Sequence, residues 1–81
     1  MIVHVCFHSY FKDLTGTAEV KVAIPEGSTL AELHEELAAR FPSLRAMRRS
    51  TLTAVEVDYQ GDDYLLREGD NVFLFPPVQG G

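Results

Sequence analysis

The sequence predicts an α+β domain: a mixed four- or five-stranded sheet with one main helix packed on one face. Three observations carry this. Segments with period-two hydrophobicity lie at both ends of the chain. A single stripe at helical spacing lies between them. The chain has only 81 residues, enough for one modest core.

Ile2 to His8 alternates, with Val3, Val5 and Phe7 on one face and Ile2, His4, Cys6 and His8 on the other, which reads as a strand. Ser9 to Leu14 is expected as a loop or short helical turn, and Thr15-Gly16-Thr17 as a turn. Ala18 to Ile24 alternates again, so the two strands form a hairpin with a long connection. Pro25-Glu26-Gly27 closes it. A helix then starts at Ser28 or Thr29, because Thr29 with Glu32 fits a capping box. Leu30, Leu33, Leu37, Ala38 and Phe41 form its apolar stripe, and Pro42 ends it near Phe41. Leu44 to Ser50 is a basic, irregular stretch or short helix. Thr51 to Tyr59 reads as a third strand and Tyr64 to Leu66 as a short edge strand, separated by a turn around Gly61. Glu68-Gly69-Asp70 is a turn. Asn71 to Phe75 is the last strand, with Val72 and Leu74 on one face and Phe73 and Phe75 on the other. A final strand beside the first must run parallel to it, since the helix crosses between them. That order is the β-grasp (ubiquitin-like) topology. Residues 1–75 make the domain and 76–81 a flexible tail, with Val78 to Gly81 expected to be mobile.

The net charge is −5. Residues 1–50 balance six basic against six acidic side chains, so the whole excess lies after them, and it stops at Asp70. A basic face for nucleic acid is not expected. Nor is a membrane span or signal peptide. One cysteine, Cys6, cannot form an intrachain disulfide and suits a reducing cytoplasm; it reads as a small core residue. His4 and His8 sit about 13 Å apart on one strand, too far to share a metal, and read with His34 as structural. No metal site and no bound cofactor are expected. No nucleophile–base pair is apparent, so no hydrolase site is expected.

The C-terminus reads Phe75-Pro76-Pro77-Val78-Gln79-Gly80-Gly81. Residues 76–81 reach about 20 Å when extended. Two prolines stiffen the exit, and two glycines let the end thread a narrow channel in a partner. The terminal carboxylate is a poor electrophile until activated, for example as an anhydride with AMP. The chain has no phosphate-binding loop, so an ATP-using partner is implied. An aromatic of the Phe73/Phe75 pair on the helix-free face would anchor a partner, and Arg45, Arg48 and Arg49 are candidates for a second contact. The acidic residues 56–70 would steer a basic partner.

Leu66-Arg67-Glu68-Gly69-Asp70-Asn71-Val72, followed by the Phe-Pro-Pro-Val-Gln-Gly-Gly end, resembles the small subunits of molybdopterin synthase. These are ubiquitin-like sulfur carriers, a family that includes the thiamine carrier. The resemblance implies that Gly81 is adenylated by a ubiquitin-activating-type adenylyltransferase. A persulfide sulfur donor then converts it to a thiocarboxylate. Threaded through Pro76, Pro77, Val78, Gln79 and Gly80, the end enters the large synthase subunit and gives its sulfur to cyclic pyranopterin monophosphate. ATP is used by the activating partner, and catalytic groups belong to the large subunit. Where that family's third strand commonly reads Ala-Val-Asn, this chain reads Ala54-Val55-Glu56. The residues also leave open sulfur transfer to thiamine or tRNA, a ubiquitin-like modifier, and a β-grasp binding module with an inert tail.

Overall fold

The computed structural model describes residues 1–77. The expectations for Val78, Gln79, Gly80 and Gly81 lie outside the described residues. Strand β1 (Ile2–Phe7) is followed by a short helix α1 (Phe11–Thr15), strand β2 (Glu19–Ala23) and the main helix α2 (Leu30–Arg40). A 3-10 helix (Pro42–Ser50) leads to β3 (Leu52–Val55), β4 (Asp58–Tyr59) and β5 (Asn71–Phe75). The sheet has the order β2-β1-β5-β3-β4. Its two central strands run parallel, with His4 opposite Asn71 and Phe7 opposite Leu74. The other pairings are antiparallel, including Leu52 opposite Phe75. This is the mixed β-grasp sheet that the element order predicts.

Alternation decides which side of the sheet is dry. Val3, Val5, Phe7, Val55, Val72 and Leu74 point toward α2 and are buried. They meet Leu30, Leu33 and Leu37 of the helix stripe, with Phe11, Leu44 and Leu66 closing the edges. Phe7 meets Phe41 edge-to-face at 5.5 Å. Cys6, alternating with Val5 and Phe7, falls on the helix-free face and is only half-buried, so its expected core placement is corrected. Burial first, and Glu19 beside it second, push its thiol pKa up, away from reactivity.

The start of α2 is satisfied from three directions. Thr29 Oγ1 accepts from the Glu32 N–H at 3.3 Å, and the Glu32 carboxylate accepts from the Thr29 N–H at 2.9 Å. The Leu30 and Ala31 N–H groups donate to Tyr64 O and Asp62 O, each at 3.0 Å. This explains a second correction. The Tyr64–Leu66 segment pairs with the helix entrance through a single bridge, Thr29 opposite Leu65, rather than forming an edge strand. We expect Thr29→Ala to lower stability by about 1 kcal/mol, read from the urea midpoint. An unchanged midpoint would mean that the Tyr64 and Asp62 carbonyls suffice. The exposed Arg40–Glu36 pair at 3.9 Å adds little.

A third correction concerns Thr51 to Tyr59. It is two strands, β3 and β4, joined by a tight turn at Glu56-Val57. Glu56 has φ +56°, a left-handed conformation that a glutamate adopts only when held. Asn71 holds it. The Glu56 N–H donates to Asn71 O at 2.8 Å, and the Asn71 N–H donates to Glu56 Oε2 at 2.7 Å. The Gly69-Asp70 turn fixes the start of β5 beside β1. Gly69, at φ +82°, donates its N–H to Ile2 O at 2.8 Å, and Asp70 O accepts from the His4 N–H at 2.9 Å. The buried Asp70 carboxylate accepts from the Arg67 N–H at 2.8 Å.

Candidate functional site

The helix covers one sheet face, which leaves the odd-numbered side chains of β5 on the other. Phe73 and Phe75 lie there, half-buried, as the alternation predicts. Phe75 is the last strand residue before Pro76 and Pro77, both half-buried, so the open face and the base of the tail are one surface. The parallel pairing brings His8 to the same place. Its N–H donates to Leu74 O at 3.1 Å, and its ring stacks on Phe75 at 4.5 Å with an interplanar angle of 14°. Tyr59 approaches Phe75 edge-on at 6.4 Å from the other side.

These residues line a groove of about 410 Å³. It runs from His8 and Phe75 along Phe73, Ala54 and Tyr59 to Val57 and Glu56 at the far end. Tyr59 is 70% exposed and Val57 92% exposed, which leaves apolar surface along the groove rim. Within the groove wall, His8 Nε2 is buried without a hydrogen-bond partner among the described residues. An orphaned ring nitrogen destabilises the free chain by about 1–3 kcal/mol. In the sequence alone His8 reads as a structural residue, with no local signal that places it beside Phe75. Its neighbours come from the parallel register with β5.

The arginines lie elsewhere. Arg45, Arg48 and Arg49 sit on the 3-10 helix, which packs against α1 and α2 on the covered side. Arg48 is used within the chain, its Nη2 donating to Asp62 Oδ1 at 2.7 Å. That hydrogen bond lowers the Asp62 pKa. Arg45 and Arg48 border a cleft of about 150 Å³ floored by Leu44 and Leu74. The structure therefore brings Phe73 and Phe75 together with the tail base, while Arg48 and Arg49 border a second groove that shares Tyr59 with the first. His34, also beside that cleft, is 7% exposed, with Nε2 3.0 Å from Thr53 Oγ1. Burial first, then the Arg48 charge, lowers its pKa to about 4, although Asp62 opposes this. His34 is thus a neutral core residue.

Among the described residues no group of three or more His, Cys, Asp or Glu side chains converges to hold a metal. No described helix is long and apolar enough to cross a membrane. What the site offers is an apolar anchoring face at the root of a tail without charged side chains.

Comparison with known proteins adds to this geometry. A molybdopterin synthase sulfur carrier subunit of Drosophila erecta is 33% identical over 82 residues, spanning 98% of this chain and 90% of the relative. The Arabidopsis thaliana protein of the same name is 31% identical over 70 residues, spanning 86% of this chain and 73% of the relative. Among solved structures, molybdopterin converting factor subunit 1 from Pyrococcus furiosus superposes with a TM-score of 0.89. It is 29% identical, over 96% of this chain and 99% of that one. A complex of subunits 1 and 2 of the molybdopterin-converting factor from Helicobacter pylori gives a TM-score of 0.72 at 23% identity, covering all of both chains, a likeness of fold. The ThiS family model matches residues 7–81, from the end of β1 through the terminal glycine, and the chain belongs to that family, alongside the sulfur carrier subunits of molybdopterin synthase.

Proposed function

We propose that this chain is the sulfur-carrying subunit of a molybdopterin synthase. The observation that carries the reading is that the family match runs through Gly80 to Gly81, on a tail rooted in an open apolar face. The Gly81 carboxylate attacks the α-phosphorus of ATP on an adenylyltransferase, and pyrophosphate leaves. A persulfide sulfur on a donor protein displaces AMP. A second thiol then breaks the S–S bond, leaving a thiocarboxylate on Gly81 and a disulfide on the donor side. The large synthase subunit takes the loaded end, and the sulfur passes to cyclic pyranopterin monophosphate. Each step needs an ionisable or nucleotide-binding group that belongs to a partner. Gly81 carries the sulfur, and Pro76, Pro77, Val78, Gln79 and Gly80 thread the partner's site.

The open face supplies the docking surface. Phe73 and Phe75, with His8 and Tyr59, bury against the large subunit, whose counterpart in the Helicobacter pylori complex is named as subunit 2. Aromatic anchors of this kind dominate interface energies. Arg48 and Arg49 line a neighbouring groove that shares Tyr59 with this one, and Arg45 borders the cleft beside α2.

Intact-mass measurement of the chain from its native host tests the reading. The expected result is a gain matching one oxygen-to-sulfur exchange, localised to the C-terminal peptide. A ladder of higher-mass conjugates would instead favour a protein modifier. Adding the large subunit and the pterin precursor to the thiocarboxylated chain should then yield molybdopterin. Failure there, with the thiocarboxylate present, would point to thiamine or tRNA thiolation as the sulfur's destination.

A further inference from the structure

The groove on the open face has two chemically different ends. At one, His8 stacks on Phe75 where the tail leaves. At the other stands the Glu56 carboxylate. It is fixed in place, because Oε2 accepts from the Asn71 N–H at 2.7 Å and the Asn71 amide lies 3.3 Å from both oxygens. Asn71 and Phe75 are the two ends of β5, so the ends of the groove are about 13 Å apart. Glu56 is exposed and so is Asp58 beside it, and neither has a basic partner among the described residues, where the ion pairs are Glu36–Arg40 and Arg48–Asp62. A carboxylate has about four acceptor sites, so the contacts to Asn71 leave capacity facing outward.

From this arrangement we infer that the groove is a two-point dock, in which the partner lays an apolar segment over Phe73 and Tyr59 and sets an arginine or lysine on Glu56. The inference rests on the proposed docking of this face and names the partner's chemistry. A positive side chain should lie about 13 Å from the mouth of the channel that receives the tail. Two fixed points, one aromatic and one ionic, set the rotation of the carrier about its tail, which a single hydrophobic contact does not. A carboxylate already held by Asn71 needs little ordering on binding, which favours the contact. The unbalanced negative charge around it excludes partners with an acidic rim at that position.

The test is calorimetric titration of the full chain with its large synthase subunit at low and high salt. Glu56→Gln keeps an acceptor for the Asn71 N–H and removes only the charge. It should weaken Kd about fivefold at low salt, with the gap closing at high salt. Glu56→Asn, neutral and at ease in the left-handed conformation, should show the same loss. Wild-type Kd in both variants, or a loss independent of salt, overturns the inference. Phe75→Ala separates this from the docking reading. Weakened binding there with Glu56→Gln unchanged defeats the ionic point alone. Unchanged binding in Phe75→Ala defeats the docking of the open face itself.

Discussion

Deleting Gly81 should reduce sulfur transfer to background while leaving thermal unfolding unchanged. The two halves of this expectation have separate causes. Among the described residues every strand pairing ends at or before Phe75, and the fully buried residues, such as Val3, Leu33 and Val72, all lie within the domain. The shortened chain still ends in a glycine carboxylate, so its intrinsic reactivity is the same. What changes is reach, by about 3.3–3.6 Å. A reacting atom displaced by about 1 Å can already lose about 10²-fold in rate, because the entropy of positioning is no longer met in advance. Since the carrier is a stoichiometric reactant, no alternative group on the chain substitutes for the misplaced one. Adding a third glycine should be similarly damaging, which distinguishes reach from composition. Wild-type molybdopterin yield from the Gly81-deleted chain would return the protein to a binding module with an inert tail.

The family was legible in the sequence because the residues that carry the resemblance are local. A Gly-Gly end, an uncharged arm and two prolines need no tertiary information to read. The helix was legible for the same reason, since Thr29 and Glu32 stand three apart and mark its entrance by themselves. The docking face was only half legible. Alternation put Phe73 and Phe75 on the helix-free side, yet His8 joins them through a parallel register set by Gly69, Asp70 and the backbone of Ile2 and His4, more than sixty residues apart in sequence. Glu56-Val57 carries none of the glycine, asparagine or aspartate that announces a hairpin turn. Asn71, fifteen residues later, imposes that turn through the Glu56 carboxylate. The strand pattern therefore ran on uninterrupted through what is a corner. Arg48 shows the same limit from the other side. In sequence it belongs with Arg45 and Arg49, whereas in the fold Asp62 claims it from fourteen residues away. Long-range hydrogen bonds thus decided the corner at Glu56 and the place of Arg48.

The same long-range logic makes His34 the acid-sensitive point of the fold, and stability should fall by about 3 kcal/mol between pH 6.5 and pH 4 on its account. The imidazole is buried beneath α2 against Thr53, and its pKa drops from 6.5 to about 4. The sign follows from proton counting. Above pH 6.5 the ring is neutral whether the chain is folded or not, and it adds no pH dependence. Between pH 6.5 and about 4 the unfolded chain takes up a proton that the folded chain refuses, so each step down in pH favours unfolding. Below about pH 4 both states are protonated, and the loss is complete. A charged ring would then sit near Arg48, which burial makes hard to screen. Asp62 titrates lower still, since the Arg48 hydrogen bond depresses its pKa, so the two effects occupy different windows. His34→Gln keeps a polar partner for Thr53 but cannot titrate. Its urea stability should be nearly level across pH 6.5 to 4 where the wild-type chain declines. An identical decline in the variant would place the acid sensitivity in other groups and leave His34 as packing alone.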